Sequence, residues 1–452
     1  RAVVELEQCM ALPAAMTYLV GMAWAGTDRT EVEASNLAEL QAYAEQSGLE
    51  VTMKPGLYRL IDWLPLESMA ARGESERFEF MDFSGSGNLF RLHGVTIEVD
   101  TALRSELRPP VHTSEFLVTG DDNVVEGLTI TNIGDGLSRG GSVVSVSGDG
   151  NTLRDVTLHV RGSSPYGYGD LFGKSGGYKH SGLLVVGNDA HIVGCKLYMR
   201  SFGHGYYIQQ EAENARFENC YVEGVMRSTD EMLAETSGVG FDRSFESVYK
   251  NREGEARVTP GYMKSLAEDG YRTYGGIKNI SFTNCVAKHM RAGFELRTDG
   301  GVRVENCRTI GTERGYWVSG NAVVVNSVGD AQYGPLLFVE GENASVELAL
   351  TAAESDMTVH SLATIHGSGH QVTIRRFNGE SRAQTLPILV GYAQPGAGES
   401  MSPYSERATR DVTLRNETSM SVIVGQEARD CTIQSEGQAV ESKGHNVSIE
   451  SL

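Results

Sequence analysis

Short runs of alternating apolar and polar residues recur along most of the chain with a nearly constant period. HIVGCKLYM, RFENCYVEG, SFTNCVAKH, VRVENCRTI and RDCTIQS share one frame, a short β-branched run, a polar corner with cysteine and a second short run. Cys195 and Cys220 are 25 residues apart, and Cys285 and Cys307 are 22 apart. Because each coil of a solenoid repeats at such a period, the pattern predicts an all-β, right-handed parallel β-helix.

The same frame indicates what the cysteines do. Stacked coils would place them in one interior column of reduced thiols, where they act as small apolar side chains. A disulfide framework is the less favoured alternative. Gly-Asp, Gly-Asn and Asp-Asn pairs fall at the corners, where a tight turn needs residues that tolerate positive φ.

The apolar pattern also predicts the organisation of the chain. We expect residues 80–452 to form the helix, and residues 26–79 to supply a first coil and a capping helix within SNLAELQAYAEQSGLE, started by Ser or Asn. Cys220 and Cys285 are 65 residues apart, which is one coil plus a long insertion at about 225–274. Loops of that length in a compact fold are usually functional or disordered.

Residues 1–25 contain the apolar run CMALPAAMTYLVGMAWAG, which ends in Ala-Trp-Ala before a glycine. The small-x-small ending predicts a signal peptide and a secreted or periplasmic protein, with an N-terminal apolar helix as the alternative. The run is too short to span a bilayer.

Charge limits the partners of the protein. With 59 Asp and Glu against 39 Lys and Arg, the formal net charge is −20, which argues against nucleic acid and anionic membrane surfaces. An anionic substrate would need a local basic groove.

Two glycine- and tyrosine-rich segments offer such a groove, YGYGDLFGKSGGYKHSG at 166–182 and RSFGHGYYIQ at 200–209. His180 and His204 are 24 residues apart and both precede a strand, so adjacent coils should bring them together. Arg291 and Arg314 fall near the equivalent place in later coils. Lys179 and Arg200 stand at the margins, which completes an expected cationic column.

A cationic column with tyrosines suits eliminative cleavage of a uronate polymer. That reaction neutralises the C6 carboxylate, removes the C5 proton and protonates the leaving O4. Hydrolysis needs paired carboxylates, and the only Asp-Asp pair, Asp121-Asp122, is far from His204 in a turn-like TGDDN. No acidic cluster is evident beside the cations in the sequence, which disfavours a calcium-dependent lyase.

At YGYGDLFGKSGGYKHSGLLVVG and RSFGHGYYIQ the chain resembles the β-helix proteins of polysaccharide lyase family 31, whose characterised activity is alginate lyase. The resemblance implies a lysine and a tyrosine as the base and acid, with no required metal. Lys179 matches the lysine. For the tyrosine, Tyr166 and Tyr168 fit the motif, while Tyr206 and Tyr207 fit the neighbouring coil.

These observations together predict a polysaccharide lyase that acts on a uronic-acid polymer, alginate first, without metal or cofactor. The expected catalytic residues are Lys179, Tyr168, Tyr166, His204, His180 and Arg200. The expected substrate-binding residues are Lys174, Tyr206, Tyr207, Gln209, Arg291 and Arg314. A C5-epimerase, a lyase for another uronate polymer such as a glycosaminoglycan and a non-catalytic carbohydrate-binding β-helix remain alternatives. Mannuronate or guluronate preference, internal or end-wise cutting and oligomeric state stay open.

Overall fold

The computed structural model describes residues 29–70, 77–107, 112–136, 140–162, 166–172, 179–251, 253–352, 359–377, 386–393, 404–436 and 439–452. The predicted signal peptide or apolar helix at 1–25 lies outside these ranges. Within them, no helix is both long and apolar enough to cross a membrane.

The chain forms a right-handed parallel β-helix, as the period predicts. Three parallel ladders make its faces, because each coil adds one short strand to each face. The first ladder consists of Thr30–Ala34, Leu49–Met53, Leu89–Arg91, Val124–Glu126, Thr152–Arg154, His191–Val193, Arg216–Glu218, Lys278–Thr283, Gly300–Glu305, Val323–Gly329, Ser345–Leu350, Gln371–Arg376, Thr413–Glu417, Thr432–Ser435 and Ser448–Ser451.

The second ladder joins the first at Val323–Gly329. Its own strands are Gly56–Arg59, Val95–Asp100, Thr129–Ile133, Thr157–Arg161, Lys196–Arg200, Tyr221–Glu223, Val286–Lys288 and Arg308–Ile310. The third ladder consists of Arg77–Phe78, His112–Val118, Gly141–Val146, Ser181–Val185, Tyr206–Ile208, Tyr271–Thr273, Ala292–Leu296, Arg314–Val318, Leu337–Val339, Ala363–Ile365, Ile388–Val390, Val422–Val424 and Val440–Ser442, with Met81–Asp82 beside its second strand.

The remaining described elements are short. The helices are Leu37–Ala44, Leu60–Trp63, Leu66–Ala70, Ala102–Ser105, Thr229–Leu233 and Val239–Asp242. Three small sheets pair Met226–Ser228 with Met263–Ser265, Tyr392–Ala393 with Ser405–Glu406, and Gly367–Ser368 with Thr409–Arg410 and Ala428–Arg429.

In the interior of the β-helix, similar side chains from successive coils stack on one another. Strand residues alternate between the two faces of a ladder, and every second one is buried in the core. Tyr206, Tyr271, Phe294 and Tyr316 form an aromatic stack with successive ring centroids 5.0, 4.6 and 5.2 Å apart. The predicted reduced cysteines are confirmed in the described part of the chain, where Cys195, Cys220, Cys285, Cys307 and Cys431 are buried and free.

The corner before each stacked cysteine shows why the frame contains asparagine or glycine. Asn219, Asn284 and Asn306 have φ values of 55°, 54° and 54°, and Gly194 has 67°. Asparagine tolerates this left-handed conformation better than most residues with a side chain. The Asn284 side-chain amide also donates to Asn219 Oδ1 at 3.2 Å, so equivalent corners bond to each other along the helix axis.

A helix covers the open N-terminal end, and asparagine rather than serine caps it. Asn36 Oδ1 accepts from the Glu39 backbone N–H at 3.0 Å at the start of Leu37–Ala44.

The insertion leaves the coils after Tyr221–Glu223 and returns at Tyr271–Thr273. It therefore occupies 224–270, and the last residues of the expected interval 225–274 already belong to the third ladder. Its apolar side chains form a cluster of their own with the segment 166–172, made of Leu171, Phe172, Met232, Val258, Tyr262 and Leu266. The inserted segment is thus packed against the part of the chain that precedes the strand Ser181–Val185 of this ladder.

Candidate active site

A cleft lies beside the strands Tyr206–Ile208, Tyr271–Thr273 and Ala292–Leu296 of the third ladder, next to the inserted segment. Its volume is about 330 Å³. The lining residues are Asp170, Lys179, Phe202, His204, Tyr249, Glu268, Arg272, Tyr274, Arg291 and Glu295. We call this the catalytic cleft below. It combines cations, carboxylates, aromatic rings and one histidine, so it contains groups that could bind a charged ligand and transfer protons.

Strand register explains one side of the catalytic cleft. Tyr207 pairs with Arg272, which pairs with Glu295 on the next strand. Their neighbours Tyr206 and Tyr271 point into the core, so these three side chains must point outwards. The Arg272 guanidinium contacts the Glu295 carboxylate.

His204 occupies the centre of a hydrogen-bonded relay. Its Nε2 lies 2.9 Å from the Tyr274 hydroxyl, and its Nδ1 lies 3.2 Å from Asp269 Oδ2. The backbone N–H of Asp269 lies 3.4 Å from the same Nδ1, which is the longer contact. Nε2 also lies 3.4 Å from Glu268 Oε2. With the proton of the neutral ring on Nδ1 and directed at Asp269, Nε2 can accept from the Tyr274 hydroxyl.

Two cations, Lys179 and Arg291, contact the adjacent carboxylates of Glu268 and Asp269. The Lys179 ammonium forms an ion pair with Glu268 and lies 5.4 Å from the centre of the Phe202 ring. Arg291 binds Asp269 through Nε at 3.1 Å and through a terminal nitrogen at 3.0 Å. Its other terminal nitrogen lies 3.4 Å from Glu268. The Lys179 side chain is 29% exposed, whereas that of Arg291 is 8% exposed, so Lys179 is the more accessible to a ligand.

These contacts decide the protonation states in the cleft. Burial alone would raise the pKa of Glu268, but His204 in its protonated form, Arg291 and Lys179 outweigh burial and lower that pKa to about 2. At Asp269, too, burial alone would raise the pKa. The positive charge of Arg291 is the main effect that outweighs burial, so the pKa of Asp269 lies well below its usual value. Burial raises the pKa of Tyr274. At neutral pH the two acids are therefore ionised and the phenol keeps its proton.

A buried ion-pair cluster links the cleft to the inserted segment. Lys264, which comes from the insertion, lies 3.0 Å from Asp170 Oδ1 and 2.6 Å from Glu313 Oε2. Asp170 in turn lies 3.4 Å from Arg291. The Lys264 side chain is 1% exposed, so its charge depends on these partners rather than on water.

The expectation that no acidic cluster lies beside the cations is wrong. The carboxylates are those of Asp170, Glu268, Asp269, Glu295 and Glu313. Each pairs with a lysine or arginine, and most come from the insertion or from coils beyond it, which the short motifs did not reveal. The described residues contain no group of three or more His, Cys, Asp or Glu placed to hold a metal ion.

Of the residues expected in the site, the structure brings Lys179, His204 and Arg291 into the catalytic cleft. Tyr207 lies beside it, with its ring centroid 5.7 Å from that of His204. Arg314 lies behind the cleft surface, 2% exposed, 3.3 Å from Glu295 Oε2 and 3.7 Å from Asp269 Oδ1, so it acts on the cleft through these carboxylates.

His180 is not part of the cationic column that was expected. Its side chain is completely buried, and Nε2 lies 3.2 Å from Glu115 Oε1. Glu115 is also 3.2 Å from Arg104, which makes an internal charge cluster. Burial and Arg104 lower the pKa of His180 to about 4. The ring is therefore neutral and has no access to a ligand in the cleft.

Arg200 and Tyr166 also lie elsewhere. Arg200 ends the strand Lys196–Arg200 of the second ladder and lines a different cleft. The electrostatic neighbours of the Tyr166 hydroxyl are Arg200 and Arg161, and burial raises its pKa to about 12. The bend of the chain between the second and third ladders separates these side chains from His204.

Three further expected residues, Tyr206, Tyr168 and Gln209, do not line the catalytic cleft. Tyr206 is in the core, where its hydroxyl donates to the Cys195 carbonyl at 2.8 Å. The Tyr168 hydroxyl donates to Glu235 of the insertion at 2.8 Å. Gln209 follows the strand Tyr206–Ile208 and is absent from the lining of the cleft. Lys174 falls outside the described residues.

Sequence reasoning missed Tyr274, Glu268, Asp269 and Arg272, although a repeated signal was present. Four consecutive strands of the third ladder have a glycine followed by an aromatic residue at their start, in HGYY, DGYR, AGFE and RGYW. Aligning these glycines, rather than the cysteines, would have placed residues 268–274 beside His204.

Comparison with known proteins gives likenesses of fold. No family model and no curated protein matches the chain. Solved structures that it is similar to include a PL6 alginate lyase complexed with a trisaccharide, at 12% identity over 94% of this chain and 85% of that one, with a TM-score of 0.48. Another is the A-module of the Azotobacter vinelandii mannuronan C-5 epimerase AlgE6, at 14% identity over 92% and 93%, with a TM-score of 0.48.

A third is a tailspike protein mutant of the E. coli bacteriophage HK620, at 11% identity over 91% of this chain and 74% of that one, with a TM-score of 0.47. At such identities the likeness concerns the fold alone. The resemblance to polysaccharide lyase family 31 stays a prediction.

Proposed function

We propose that the catalytic cleft binds an acidic polysaccharide built from uronate residues and cleaves it by β-elimination. The observation that carries the proposal is the His204–Tyr274 contact of 2.9 Å in a cleft with a partly exposed lysine. The pair supplies an acceptor and a donor of protons, and Lys179 supplies a cation for the substrate carboxylate.

The reaction follows from these roles. Lys179 neutralises the C6 carboxylate, which makes the C5 proton acidic. Nε2 of His204 takes that proton, and the electron pair of the broken C5–H bond forms the C4–C5 double bond as the C4–O4 bond breaks. Tyr274 gives its proton to the leaving O4. Transfer of the proton from His204 to Tyr274 across their mutual contact restores both groups.

Asp269 is a positioning residue in this scheme. Its carboxylate lies 3.2 Å from Nδ1 of His204 and stabilises the imidazolium that forms when Nε2 takes a proton. The two contacts from Arg291 keep the carboxylate ionised and fixed in direction.

The protonation states favour elimination over hydrolysis. A glycoside hydrolase needs one protonated carboxylic acid to assist the leaving group. The pKa of Glu268 is about 2 and that of Asp269 is well below its usual value. Neither carboxyl can hold a proton at neutral pH, whereas Tyr274 can.

A C5-epimerase is the second candidate, because it begins with the same removal of the C5 proton and the same neutralisation of the carboxylate. It would then return a proton to the opposite face of C5 and leave the C4–O4 bond intact. Alginate is the substrate that the resemblance to family 31 favours, and another uronate polymer would use the same groups. A polymer of this kind occurs outside the cytoplasm, which agrees with the secreted or periplasmic location proposed from residues 1–25.

Mass spectrometry of the products in heavy water distinguishes these reactions. Elimination gives fragments that contain a double bond and no added water. Hydrolysis adds the mass of one water per cut, and epimerisation leaves the length unchanged while deuterium enters at C5. Fragments with added water would refute the proposal, and intact chains with deuterium would establish the epimerase instead.

A further inference from the structure

A second cleft lies on the second ladder and shares no lining residue with the catalytic cleft. Its volume is about 520 Å³. The lining residues are Thr131, Asn132, Ile133, His159, Val160, Arg161, Tyr198 and Arg200. The proposed reaction uses none of them.

Two arginines stand side by side in this cleft. Arg161 pairs with Arg200 on the adjacent strand, and strands lie about 4.8 Å apart. Among the described residues neither guanidinium forms an ion pair with a carboxylate. Arg200 donates only to the backbone carbonyl of Met199, at 3.2 Å. Like charges directly opposite each other are unfavourable on a sheet.

This pairing contrasts with the rest of a chain whose net charge is −20. Arg154, one strand earlier in the same coil, contacts the Glu126 carboxylate, and Arg272 contacts that of Glu295. The residues that line this cleft include no acid that could neutralise the arginine pair. An anionic group bound between the two guanidinium groups would remove the repulsion and gain charge-assisted hydrogen bonds.

Aromatic side chains provide a surface for a sugar ring next to the arginines. The rings of His159 and Tyr198 are stacked, with centroids 4.9 Å apart and planes 11° apart. Thr131 pairs with His159 on the preceding strand and has no ring, so the stack ends at His159. The cleft extends over Thr131, which leaves room for a further ring in line with the stack.

A buried tyrosine adds a second polar group without a protein partner. The Tyr166 hydroxyl is inaccessible to solvent and has no hydrogen-bond partner among the described residues. Its electrostatic neighbours are Arg161 and Arg200. Buried polar groups are normally satisfied, so this hydroxyl is an exception among the described residues, but Tyr166 does not line the cleft and the proposal below does not depend on it.

We propose that this cleft is a second, non-catalytic site for a carboxylated oligosaccharide, in which Arg161 and Arg200 hold a uronate carboxylate and His159 packs against a sugar ring. The choice of a uronate, rather than another anionic sugar, rests on the proposed function. The existence of the second site does not depend on the proposed function, because the observations that support it concern residues outside the catalytic cleft.

Isothermal titration calorimetry tests the site. The protein is the full chain with Tyr274→Phe, which removes the proposed proton donor and so preserves the ligand during titration. The probes are a mannuronate hexamer, a guluronate hexamer, a sulfated maltohexaose and neutral cellohexaose. We expect two uronate hexamers per chain, and one when Arg161→Ala and Arg200→Ala are added. Each arginine alone should weaken the second site roughly fivefold, the upper end for an exposed ion pair.

Arg303→Ala is the matched control, because Arg303 is an exposed arginine on another ladder that pairs with Glu305 at 2.9 Å. It should leave both sites unchanged. Unchanged binding in the Arg161→Ala and Arg200→Ala protein would overturn the proposal, as would equal binding of cellohexaose or tighter binding of the sulfated hexamer. If one uronate hexamer binds per chain, and this binding is lost when both arginines are replaced, the result would support the second site and contradict binding in the catalytic cleft.

Discussion

The Tyr274 hydroxyl lies 2.9 Å from Nε2 of His204, although 70 residues separate the two in the chain. The contact forms because the inserted segment returns to the third ladder at Tyr271–Thr273, directly beside the strand Tyr206–Ile208. Asp269, on the same returning segment, holds the opposite side of the imidazole. The insertion therefore supplies one member of the relay, Asp269, and leads the chain back to the ladder just before Tyr274, the other partner of His204.

Replacing Tyr274 with phenylalanine removes the proposed donor to O4 and little else. We expect kcat to fall by roughly 10² to 10⁴, the usual contribution of general acid–base catalysis. KM should change little, because the ring remains. Tyr58→Phe is the matched control, since that hydroxyl is bonded only to the exposed Lys54 carbonyl. Equal kcat values in the two variants would exclude Tyr274 as the donor.

Substitutions at Lys179 distinguish a cation from a base. If the ammonium neutralises the substrate carboxylate, Lys179→Arg keeps a charge there and should retain a substantial part of kcat/KM, while Lys179→Met should lose at least tenfold more. If the lysine accepts the C5 proton, arginine cannot replace it, because a guanidinium does not deprotonate in proteins. Equal losses in Lys179→Arg and Lys179→Met would therefore favour the base.

Lys264 should be essential for holding the insertion against the coils. Its removal leaves the buried carboxylates of Asp170 and Glu313 without their shared cation, and breaking such a pair costs about 3–5 kcal/mol. We expect Lys264→Met to lower the free energy of unfolding by that amount in urea titrations. Lys278→Met removes an ion pair of similar kind that is 57% exposed, and should cost less than about 1 kcal/mol. Similar losses in both would contradict the assigned role.

His180 should make the protein less stable in weak acid. Its pKa is lowered from 6.5 to about 4 in the fold, so between these pH values the unfolded chain binds a proton that the folded chain does not. The free energy of unfolding should fall as the pH drops from 6.5 to 4, by roughly 3 kcal/mol at most. Melting temperatures of His180→Gln across this window should show a shallower fall. If the melting temperatures of the wild type and the variant fall in parallel, groups other than His180 determine the loss of stability in this pH window.

The cysteine frame was sufficient to predict the architecture but not the register of the site. Fourteen residues separate Tyr206 from Cys220, whereas thirteen separate Phe294 from Cys307, although both aromatic residues occupy the same position in the stack. The second of these coils is thus one residue shorter between its aromatic residue and its cysteine. A position in the third ladder that is found by counting back from the cysteine is therefore wrong by one residue. For this reason Arg314 is level with Ala292 rather than with Arg291.

Local chemistry caused the remaining errors of placement. Tyr206 and Tyr207 are neighbours on one strand, so only one of them can face outwards, and the core takes Tyr206. The sequence predicts His180 as a cation of the site, but in the fold it is buried against Glu115, which is far away in the chain and also pairs with Arg104. Such long-range pairings have no periodic signature.

Ultraviolet absorbance of the conjugated uronate tests the central claim most directly. Purified protein is mixed with polymannuronate, polyguluronate, pectate or hyaluronan, in parallel with the Tyr274→Phe and Tyr58→Phe variants. The account predicts a steady rise with at least one polymer for the wild type and Tyr58→Phe, and a rate at least a hundredfold lower for Tyr274→Phe. An equal rise with Tyr274→Phe, or no rise in any mixture, would contradict it.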